Sequence, residues 1–578
     1  MSEPVGHDDG PAAFDRWSAG LATLAVLPLV VGAVRMLTAF SGYTASSDNA
    51  ANELTVRDVG HHLVLLGPFS RHGWSHPGPA FAYLMAIPYR ILGSDSTAML
   101  VATLLVNAVA IAVMVVLARR WGGTAFAVAV TLGTTLLTVT FPSSFLSDPW
   151  NPFITVLPFG AFLLLVWAST CGDRWALPVA VGVGTFCVQT HVGYAAPVVA
   201  ALVWATWRAV RDRTRPRVRG EGTRGLVMLA VAGGVLLVMW LPAIYEQLAH
   251  SPGNLTAITD YFSGAKQPPQ GIRNGARVVA AQFTLTPDWL LGLRGVSPFS
   301  GEAAAMHQNP IPVLLLAFVV AGIVAFRRRY VTLCAAFIVL ALTVVVGGIA
   351  AAQIIGAMAE YRLRWIWVVA VLAVAFALAV ALRWTAERSA RVARIAVIVG
   401  AVGVVALSGA GIARAANADP PQVANDAEVA AASGQLLAHL PAGRAPVLLR
   451  AASADAFENM KGVALALDRA GVGVRVPESN DNRLTFGRSR ANRHGPVRGL
   501  YVVVTDAQIE DWRSRHANRE VAYVGAVGPA EHARIARRFD RLERKGKTAF
   551  GPELARLAGQ LDAIAIFSVP RFPHDRTN

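Results

Sequence analysis

The residues with the clearest chemical potential lie in one stretch near the N-terminus, between two apolar segments. Residues 42–96 combine carboxylates and basic side chains with aromatic residues and Pro-Gly pairs. These charged and basic residues are Asp48, Glu53, Asp58, His61, His62, Arg71, His72 and His76. A carboxylate just above a membrane can act as a general base or bind a metal ion, and arginine or histidine can hold a phosphate. A simple connector needs none of these groups, so the stretch is a candidate functional site.

Some of these residues also have a purely structural explanation. Glu53 and Arg57 are four residues apart on a predicted helix, which is the spacing of an ordinary surface ion pair. Glu53 and Asp58 are therefore open to either interpretation. Asp48 follows the first apolar segment closely, and a functional role explains it better than a structural one.

Three more polar groups stand at ends of apolar segments that we expect at the same level as residues 42–96. They are Asp148 with Trp150, Asn151 and Pro152, then Gln189 with His191, and finally Glu360 with Arg362 and Arg364. Their common level suggests one cavity. Hydrogen bonds that tie helix ends together would explain His191 equally well, and interfacial snorkelling would explain Arg362 and Arg364.

The composition indicates which elements position these residues. Hydrophobic residues make up 54% of the 578 residues and charged residues only 15%, against about one quarter charged in soluble domains. Because a spanning helix needs about 20 mostly apolar residues, we predict an α-helical polytopic membrane protein with about eleven transmembrane helices. The predicted spans are Ala19–Phe40, Ala98–Leu117, Ala125–Phe141, Pro152–Ala168, Leu177–Thr190, Ala195–Trp207, Leu226–Ile244, Ile311–Phe326, Val331–Ala350, Trp365–Leu382 and Ile395–Ile412.

The arginines predict the orientation of these spans. The formal net charge is +16, but the arginines form short groups between apolar runs, so we expect no nucleic-acid partner. If every predicted span is real, these groups share one side: Arg119–Arg120, Arg208–Arg224, Arg327–Arg329 and Arg383–Arg394. Basic residues next to spans stay in the cytoplasm. We therefore expect a multi-pass protein of the cell membrane whose C-terminal part lies outside the cytoplasm.

This orientation divides the chain into parts. We expect a cytoplasmic N-terminus over residues 1–16 and a membrane module over 17–413, with outer loops at 42–96 and 245–310. The apolar segment Pro79–Leu92 is too short to span and suits a helix in the membrane interface. Counting it as a span would also place every later arginine group outside.

The pattern changes after Ile412. We predict a polar linker over 414–440 and an extracytoplasmic α/β domain over 441–578, because apolar strands alternate with helical segments there. The predicted strands are Pro446–Leu449, Val472–Val476 and Gly499–Val504, and the predicted helices are Ala454–Arg469, Asp506–Arg515 and Glu531–Arg544. This domain has no P-loop, metal-ligand spacing or nucleophile elbow.

The arrangement resembles the GT-C superfamily of membrane glycosyltransferases, in particular its protein O-mannosyltransferase-like branch. The resemblance covers the spans up to Ile412 in architecture, and it covers Asp48 and the segment GPFSRHGWSHPGP in motif. It implies that Asp48 is the base that activates the acceptor hydroxyl. The Asp-Glu pair of the mannosyltransferases is absent because Asn49 follows Asp48, which leaves Glu53 or Asp58 as the acidic partner.

The resemblance also implies a polyprenyl-phosphate sugar as donor and a glycan, lipid or protein as acceptor. Arg71, His72 and His76 would then hold the donor phosphate at the headgroup level, with His191, Arg362 and Arg364 as further candidates. No Asp-x-Asp sequence occurs that could hold the metal ion of a nucleotide-sugar enzyme, and a lipid-linked donor needs none. The metal requirement is left open, including a divalent cation as cofactor.

Two other classes of function compete with an inverting glycosyltransferase. A transporter or lipid-carrier flippase also has many spans and buried polar residues, although the internal repeats typical of transporters are not found here. A scaffold built around the outer domain would leave the acidic, histidine-rich residues 42–96 unexplained.

Overall fold

The structure, a computed structural model, describes residues 15–214, 221–264, 267–292, 310–491, 495–544 and 551–570. Most of the predicted N-terminal segment 1–16 lies outside the described residues. The same is true of part of the outer loop predicted at 245–310 and of the end of the domain predicted at 441–578.

Helices form most of residues 16–415, and the longest of them are apolar. They are α1 (Arg16–Ala39), α2 (Ser47–Asp58), α3 (Ala80–Ile91), α4 (Ser96–Thr140), α5 (Asn151–Ile154), α6 (Val156–Thr170), α7 (Ala176–Thr190), α8 (Ala195–Thr214), α9 (Glu221–Ala249), α10 (Asn254–Ser263), α11 (Gly271–Ala281), α12 (Asp288–Leu291), α13 (Val313–Arg328), α14 (Val331–Ala352), α15 (Trp365–Ala386) and α16 (Ala390–Ala415). The polytopic helical architecture is confirmed.

Within the described residues, seven helices are long and apolar enough to cross a membrane. Each predicted span lies on helix, the fourth of them across α5 and α6 together. Two of these helices, α7 and α13, are short, with 15 and 16 residues. The 45-residue α4 contains two predicted spans. Gly123 (φ 76°, ψ −176°) interrupts the helical backbone between them. Glycine suits this position, since its φ lies where a side chain would cause strain. The total of eleven spans stays a prediction.

The short apolar helix α3 has the character expected of an interfacial helix. Its 12 residues are too few to cross a bilayer. Phe81 and Met85 are buried against the bundle, whereas Ile87 and Ile91 on another face are 64% and 78% exposed. An exposed apolar face on a helix too short to span fits the membrane surface.

Two short strands, β1 (Phe69–Ser70) and β2 (Trp74–Ser75), precede α3. The C-terminal region is an α/β domain, as predicted. Its elements are α17 (Val423–His439), β3 (Val447–Ala451), α18 (Ala454–Arg469), β4 (Val474–Arg475), α19 (Asn480–Phe486), β5 (Leu500–Thr505), α20 (Gln508–Arg513), β6 (Arg519–Gly525), α21 (Pro529–Arg544), α22 (Pro552–Leu561) and β7 (Ala563–Ser568). The sheet order is β4-β3-β5-β7-β6. β3 is parallel to β4 and β5, and β7 is antiparallel to β5 and β6.

The segment that the sequence suggests as a linker, 414–440, is mostly helical in the structure. Here α17 buries Val429, Ala432 and Leu436 in the core of the domain. These residues follow the i, i+3, i+7 spacing of a buried helical face. The linker-like sequence of the segment comes from the polar stretch before α17, which contains Asn417, Pro420 and Pro421.

Candidate active site

The segment 67–79, GPFSRHGWSHPGP, folds into a small hairpin. Its strands are β1 (Phe69–Ser70) and β2 (Trp74–Ser75), and they pair antiparallel. The Gly67 amide donates to the His76 carbonyl (3.0 Å), and the His76 amide donates to the Pro68 carbonyl (2.9 Å). Gly73 has φ +81°, a conformation that a turn of this kind assigns to glycine. The turn therefore carries Arg71 and His72 at its tip.

Close contacts with the bundle hold the hairpin in place. A Cβ on Gly67 would lie 2.5 Å from the Gln189 carbonyl oxygen, and one on Gly78 would lie 2.5 Å from Gln189 Cδ. On another side, the Asn254 side chain accepts from the Ser75 amide and donates to the Ser75 carbonyl, both at 2.8 Å. The two glycines thus permit an approach that a larger residue would prevent.

The hairpin forms one wall of a cavity of about 460 Å³ at the ends of the membrane helices. Predicted site residues that line it are Asp48, Arg71, His72, His76, His191 and Arg362. Aromatic and aliphatic residues complete the walls, among them Trp74, Trp150, Tyr261, Phe262, Ile349, Ile354 and Tyr361. Mostly apolar walls with a few converging polar groups are typical of ligand sites.

The carboxylate of Asp48 is held from two sides. Its Oδ1 accepts from the Lys461 ammonium (2.8 Å), and its Oδ2 accepts from the Trp150 indole N–H (3.0 Å). Burial raises the pKa of Asp48, but the Lys461 ammonium and the Trp150 hydrogen bond outweigh burial and hold the pKa below its ordinary value of 3.8. Asp48 is therefore ionised at neutral pH. Its side chain keeps 32% exposure, so a ligand in the cavity can reach it.

Comparison with solved structures identifies the fold around this site. Two crystal structures of ArnT from Cupriavidus metallidurans match over 87% of this chain and 96% of theirs. The one bound to undecaprenyl phosphate has a TM-score of 0.50 at 15% identity, and the apo state has 0.52 at 13%. This chain has the GT-C fold.

A third solved structure is less similar to this chain. An oligosaccharyltransferase from Archaeoglobus fulgidus, in complex with zinc and sulfate, covers 86% of this chain and 68% of that one at 13% identity, with a TM-score of 0.40. No family model matches the sequence, and no curated protein matches it. The GT-C likeness is therefore one of fold.

A second carboxyl group, that of Asp148, lies near Asp48. Asp148 Oδ1 accepts from the Asn49 side-chain amide and from the Trp150 backbone amide, both at 2.9 Å. Burial raises the pKa of Asp148 to about 7, and the negative charge of Asp48 adds to that rise. Asn49, which follows Asp48 directly, is therefore a hydrogen-bond donor to the neighbouring Asp148 carboxyl group.

Two neutral histidines line the inner part of the cavity. His76 Nδ1 accepts from the Val192 amide (3.1 Å) and His191 Nδ1 accepts from the Gly193 amide (3.2 Å). Each ring therefore carries its proton on Nε2. Burial lowers the pKa of His191 to about 4 and the pKa of His76 well below its ordinary value. At neutral pH both rings can donate one hydrogen bond, and neither brings a charge.

The cationic groups of the cavity are arginines. Arg362 is fixed by hydrogen bonds from Nη1 to the Ile355 carbonyl (3.1 Å) and from Nε to the Tyr361 hydroxyl (3.1 Å). Arg71 makes no hydrogen bond to any part of the chain that the structure describes, although its charge lowers the pKa of Asp48. A guanidinium at the tip of a hairpin, close to a carboxylate, is available to bind an anionic ligand.

Three of the predicted site residues lie outside the cavity. Glu53 is fully buried and accepts from the hydroxyls of Tyr89 (2.8 Å) and Ser96. Asp58 forms a two-point ion pair with Arg490 at 2.7 and 2.9 Å. Arg364 is 1% exposed and lies over the Trp367 ring at 4.5 Å. Glu53 and Asp58 have hydrogen-bond partners within the protein, Arg364 packs on an aromatic ring, and none of the three lines the cavity.

Lys461 and Glu458 are site residues that sequence reasoning missed. Both belong to α18 in the C-terminal domain, and Glu458 also lines the cavity. A lysine at a buried position of an amphipathic helix is the one local signal that could have indicated a partner, because a buried ammonium needs one.

Within the described residues, no group of three or more His, Cys, Asp or Glu side chains is placed to hold a metal ion.

Proposed function

We propose that this protein is an inverting membrane glycosyltransferase. It transfers a sugar from a polyprenyl-phosphate donor to an envelope glycan, lipid or protein on the extracytoplasmic face. The observation that carries the proposal is the cavity in which the ionised Asp48 lies close to the positively charged Arg71, between apolar walls at the membrane helix ends. The GT-C fold supports it, and ArnT with that fold binds undecaprenyl phosphate.

The reaction follows from these positions. The acceptor hydroxyl attacks the anomeric carbon, the bond from that carbon to the phosphate oxygen breaks, and the proton passes to Asp48. Because the pKa of Asp48 is low, the carboxylate takes the proton only when bond formation has made the hydroxyl acidic. Each carboxylate oxygen retains a lone pair beyond the one bonded to Lys461 or Trp150.

The remaining groups bind the donor. Arg71 and Arg362 pair with its phosphate and stabilise the charge that develops as the phosphate leaves. The neutral rings of His76 and His191 donate hydrogen bonds, and His72 lies 4.8 Å from the Tyr261 ring in an aromatic wall suited to a sugar face. Ile349 and Ile354, which line the cavity, contact the first isoprene units.

The test is a transfer assay with the purified protein in lipid vesicles. Radiolabelled sugars on a panel of polyprenyl phosphates are the donors, and wild type is compared with Asp48→Asn. We expect one donor to be turned over and the variant to be slower by about 10²- to 10⁴-fold, since it lacks the base. Asp540→Asn, at an exposed position of α21, is the matched control and should match wild type.

Two outcomes would contradict the proposal. Full activity of Asp48→Asn would exclude this carboxylate as the base. No turnover of any donor by a monodisperse, folded protein would exclude the transferase, and substrate flux across the same vesicles would then test for transport.

A further inference from the structure

We propose that the C-terminal domain is part of the active site, and that Lys461 of α18 is a positioning residue that orients the Asp48 carboxylate for catalysis. The inference rests on the proposed function, because it concerns the same base. It gives the domain a role in the reaction itself, beyond packing on the membrane bundle.

The contacts of Lys461 connect the domain to the base directly. Its side chain is fully buried, and its ammonium donates to Asp48 Oδ1 and Glu458 Oε2, both at 2.8 Å. The rings of Phe69 in the hairpin and Phe457 in α18 lie 5.7 and 5.2 Å from the ammonium. A buried ammonium is stable only with such partners, so Lys461 and Asp48 hold each other in position.

Other residues of the domain fix the backbone that carries Asp48. Asp426 Oδ1 accepts from the Ser46 amide (2.8 Å), and the Asn425 side chain donates to the Ser46 hydroxyl (2.7 Å). The Ser47 hydroxyl donates to Glu458 Oε2 (2.6 Å). Ser47 has φ +52°, an unfavourable conformation for a residue other than glycine, and these contacts hold it there.

The domain and α2 also share one hydrophobic core. Ala45, Ala50 and Leu54 pack in the same buried cluster as Val429 and Met460. Gly462 of α18 faces this junction, where an added Cβ would lie 3.0 Å from the Ala45 carbonyl oxygen. The helix that bears Asp48 is thus packed on the C-terminal domain as a folded unit.

The charged groups around Asp48 determine what removal of Lys461 should do. The domain contributes Lys461 and Glu458, the hairpin contributes Arg71, and the loop before α5 contributes Asp148. Lys461 and Arg71 favour the ionised form of Asp48, whereas Asp148 and Glu458 oppose it when ionised. Loss of Lys461 should therefore raise the pH at which Asp48 becomes ionised, and loss of the Glu458 charge should lower it.

The experiment measures transfer by the full-length protein in lipid vesicles as a function of pH. The variants are Lys461→Met, Lys461→Arg and Glu458→Gln, and Arg538→Met is the control because its ion pair with Glu553 is exposed and remote. The donor is the polyprenyl-phosphate sugar that the wild type turns over. Thermal unfolding and size-exclusion profiles report folding for each variant.

We expect Lys461→Met to lower kcat at least about tenfold at pH 7, while the donor KM stays within about threefold of the wild-type value. Its acid limb in kcat/KM should move up by about one pH unit or more, as expected for loss of an adjacent opposite charge. Lys461→Arg should keep the acid limb near that of wild type, and Glu458→Gln should move it to lower pH. A purely structural role would not produce opposite shifts.

The outcomes separate this inference from the function on which it rests. An inactive wild type would overturn the proposed function and the positioning role with it. An active wild type whose acid limb is unchanged in Lys461→Met and Glu458→Gln would overturn the positioning role alone. If Lys461→Met does not fold, the direction of the Glu458→Gln shift still decides, because Glu458 is 45% exposed and that substitution buries no new group.

Discussion

Asp48 and Asp148 are neighbouring carboxyl groups in different protonation states. Lys461 keeps Asp48 ionised in spite of burial, whereas burial without a cation brings the pKa of Asp148 to about 7. Near neutral pH, one carboxylate is ready to accept a proton and the other is partly protonated. Pairs of groups whose environments separate their pKa values are typical of acid and base sites.

The raised pKa of Asp148 makes the stability of the protein depend on pH. A carboxyl group with a raised pKa in the folded state contributes stability below pH 3.8, and that contribution is lost as pH rises through about 7. The rise of the Asp148 pKa from 3.8 to about 7 corresponds to about 4 kcal/mol in the free energy of unfolding. We expect the melting temperature in detergent to fall between pH 5 and pH 8, and to fall less for Asp148→Asn, which keeps the Oδ1 acceptor.

An equal fall in Asp148→Asn and wild type would show that Asp148 does not titrate in this range. Asp426, whose pKa burial raises to about 6, should retain its own contribution in both proteins.

Arg71 should matter for the donor because its guanidinium is held by no hydrogen bond within the described residues. A charge-assisted hydrogen bond contributes about 1.5–3 kcal/mol, so we expect Arg71→Ala to lower kcat/KM for the donor by about 10- to 100-fold. Arg71→Lys should restore part of it, since lysine brings the charge without the fork geometry. Steady-state kinetics with varied donor give the answer, and unchanged kcat/KM in Arg71→Ala would exclude the contact.

Arg71 is carried by the 67–79 hairpin, in which Gly67 and Gly78 lie directly against Gln189 of α7. Gln189 is itself fixed, because its Oε1 accepts from the Ala80 amide and its Nε2 donates to the Met239 carbonyl. It therefore cannot move away from a side chain added at Gly78. Crowding of this kind in a packed site costs about 1–3 kcal/mol.

We expect Gly78→Ala to lower the melting temperature and also to lower transfer, because the hairpin tip would shift. Gly434→Ala in α17 is the matched control, since an added Cβ there meets no atom within 4 Å. That substitution should leave activity unchanged and stabilise the helix slightly. Equal behaviour of the two variants would mean that the hairpin tolerates displacement from α7.

At the level of elements, hydropathy predicts the bundle well and the C-terminal sheet less completely. Every predicted span coincides with helix, and the predicted helix Ala454–Arg469 is α18 residue for residue. β7, with the sequence AIAIFS, and β6 were not predicted, although both belong to the sheet. A short apolar run is ambiguous by itself, and its pairing with a distant strand resolves it.

The candidate site was also predicted only in part from the sequence. The first outer loop is informative because its chemistry is dense within a short sequence, and six of the nine predicted residues do line one cavity. Lys461 follows Asp48 by 413 positions in the chain. No periodicity or spacing relates two residues that only the packing of α18 on α2 brings together, so this part of the site required the structure.

Considered as a whole, the molecule has two distinct ends. At one end, arginines pair with acids from neighbouring helices or loops, as in Arg119 with Asp15 (2.6 Å) and Arg328 with Glu387 (3.4 Å). The cavity and the C-terminal domain lie together at the other end, because Lys461 contacts Asp48 there. We therefore propose that the segment that begins α1 and the C-terminal domain lie on opposite sides of the membrane, which requires an odd number of crossings.

The positive-inside rule then assigns the two ends to the two sides of the membrane. We expect the arginine end in the cytoplasm and the cavity outside it, where a lipid-linked donor presents its sugar. Single cysteines can test this assignment after Cys171, Cys187 and Cys334 are replaced by alanine. The exposed test positions are Ser263→Cys in α10, His516→Cys in the C-terminal domain and Arg388→Cys between α15 and α16.

A membrane-impermeant maleimide applied to intact cells should label the cysteines at 263 and 516. The cysteine at 388 should react only after the membrane is permeabilised, which also serves as the control that this position is accessible. Labelling at 388 alone in intact cells would mean that the orientation is the reverse of the expected one. The cavity would then lie in the cytoplasm, where nucleotide-linked donors are available. Labelling at 263 without 516 would contradict the contact between Lys461 and Asp48, because that contact requires the outer loops and the C-terminal domain to share one side.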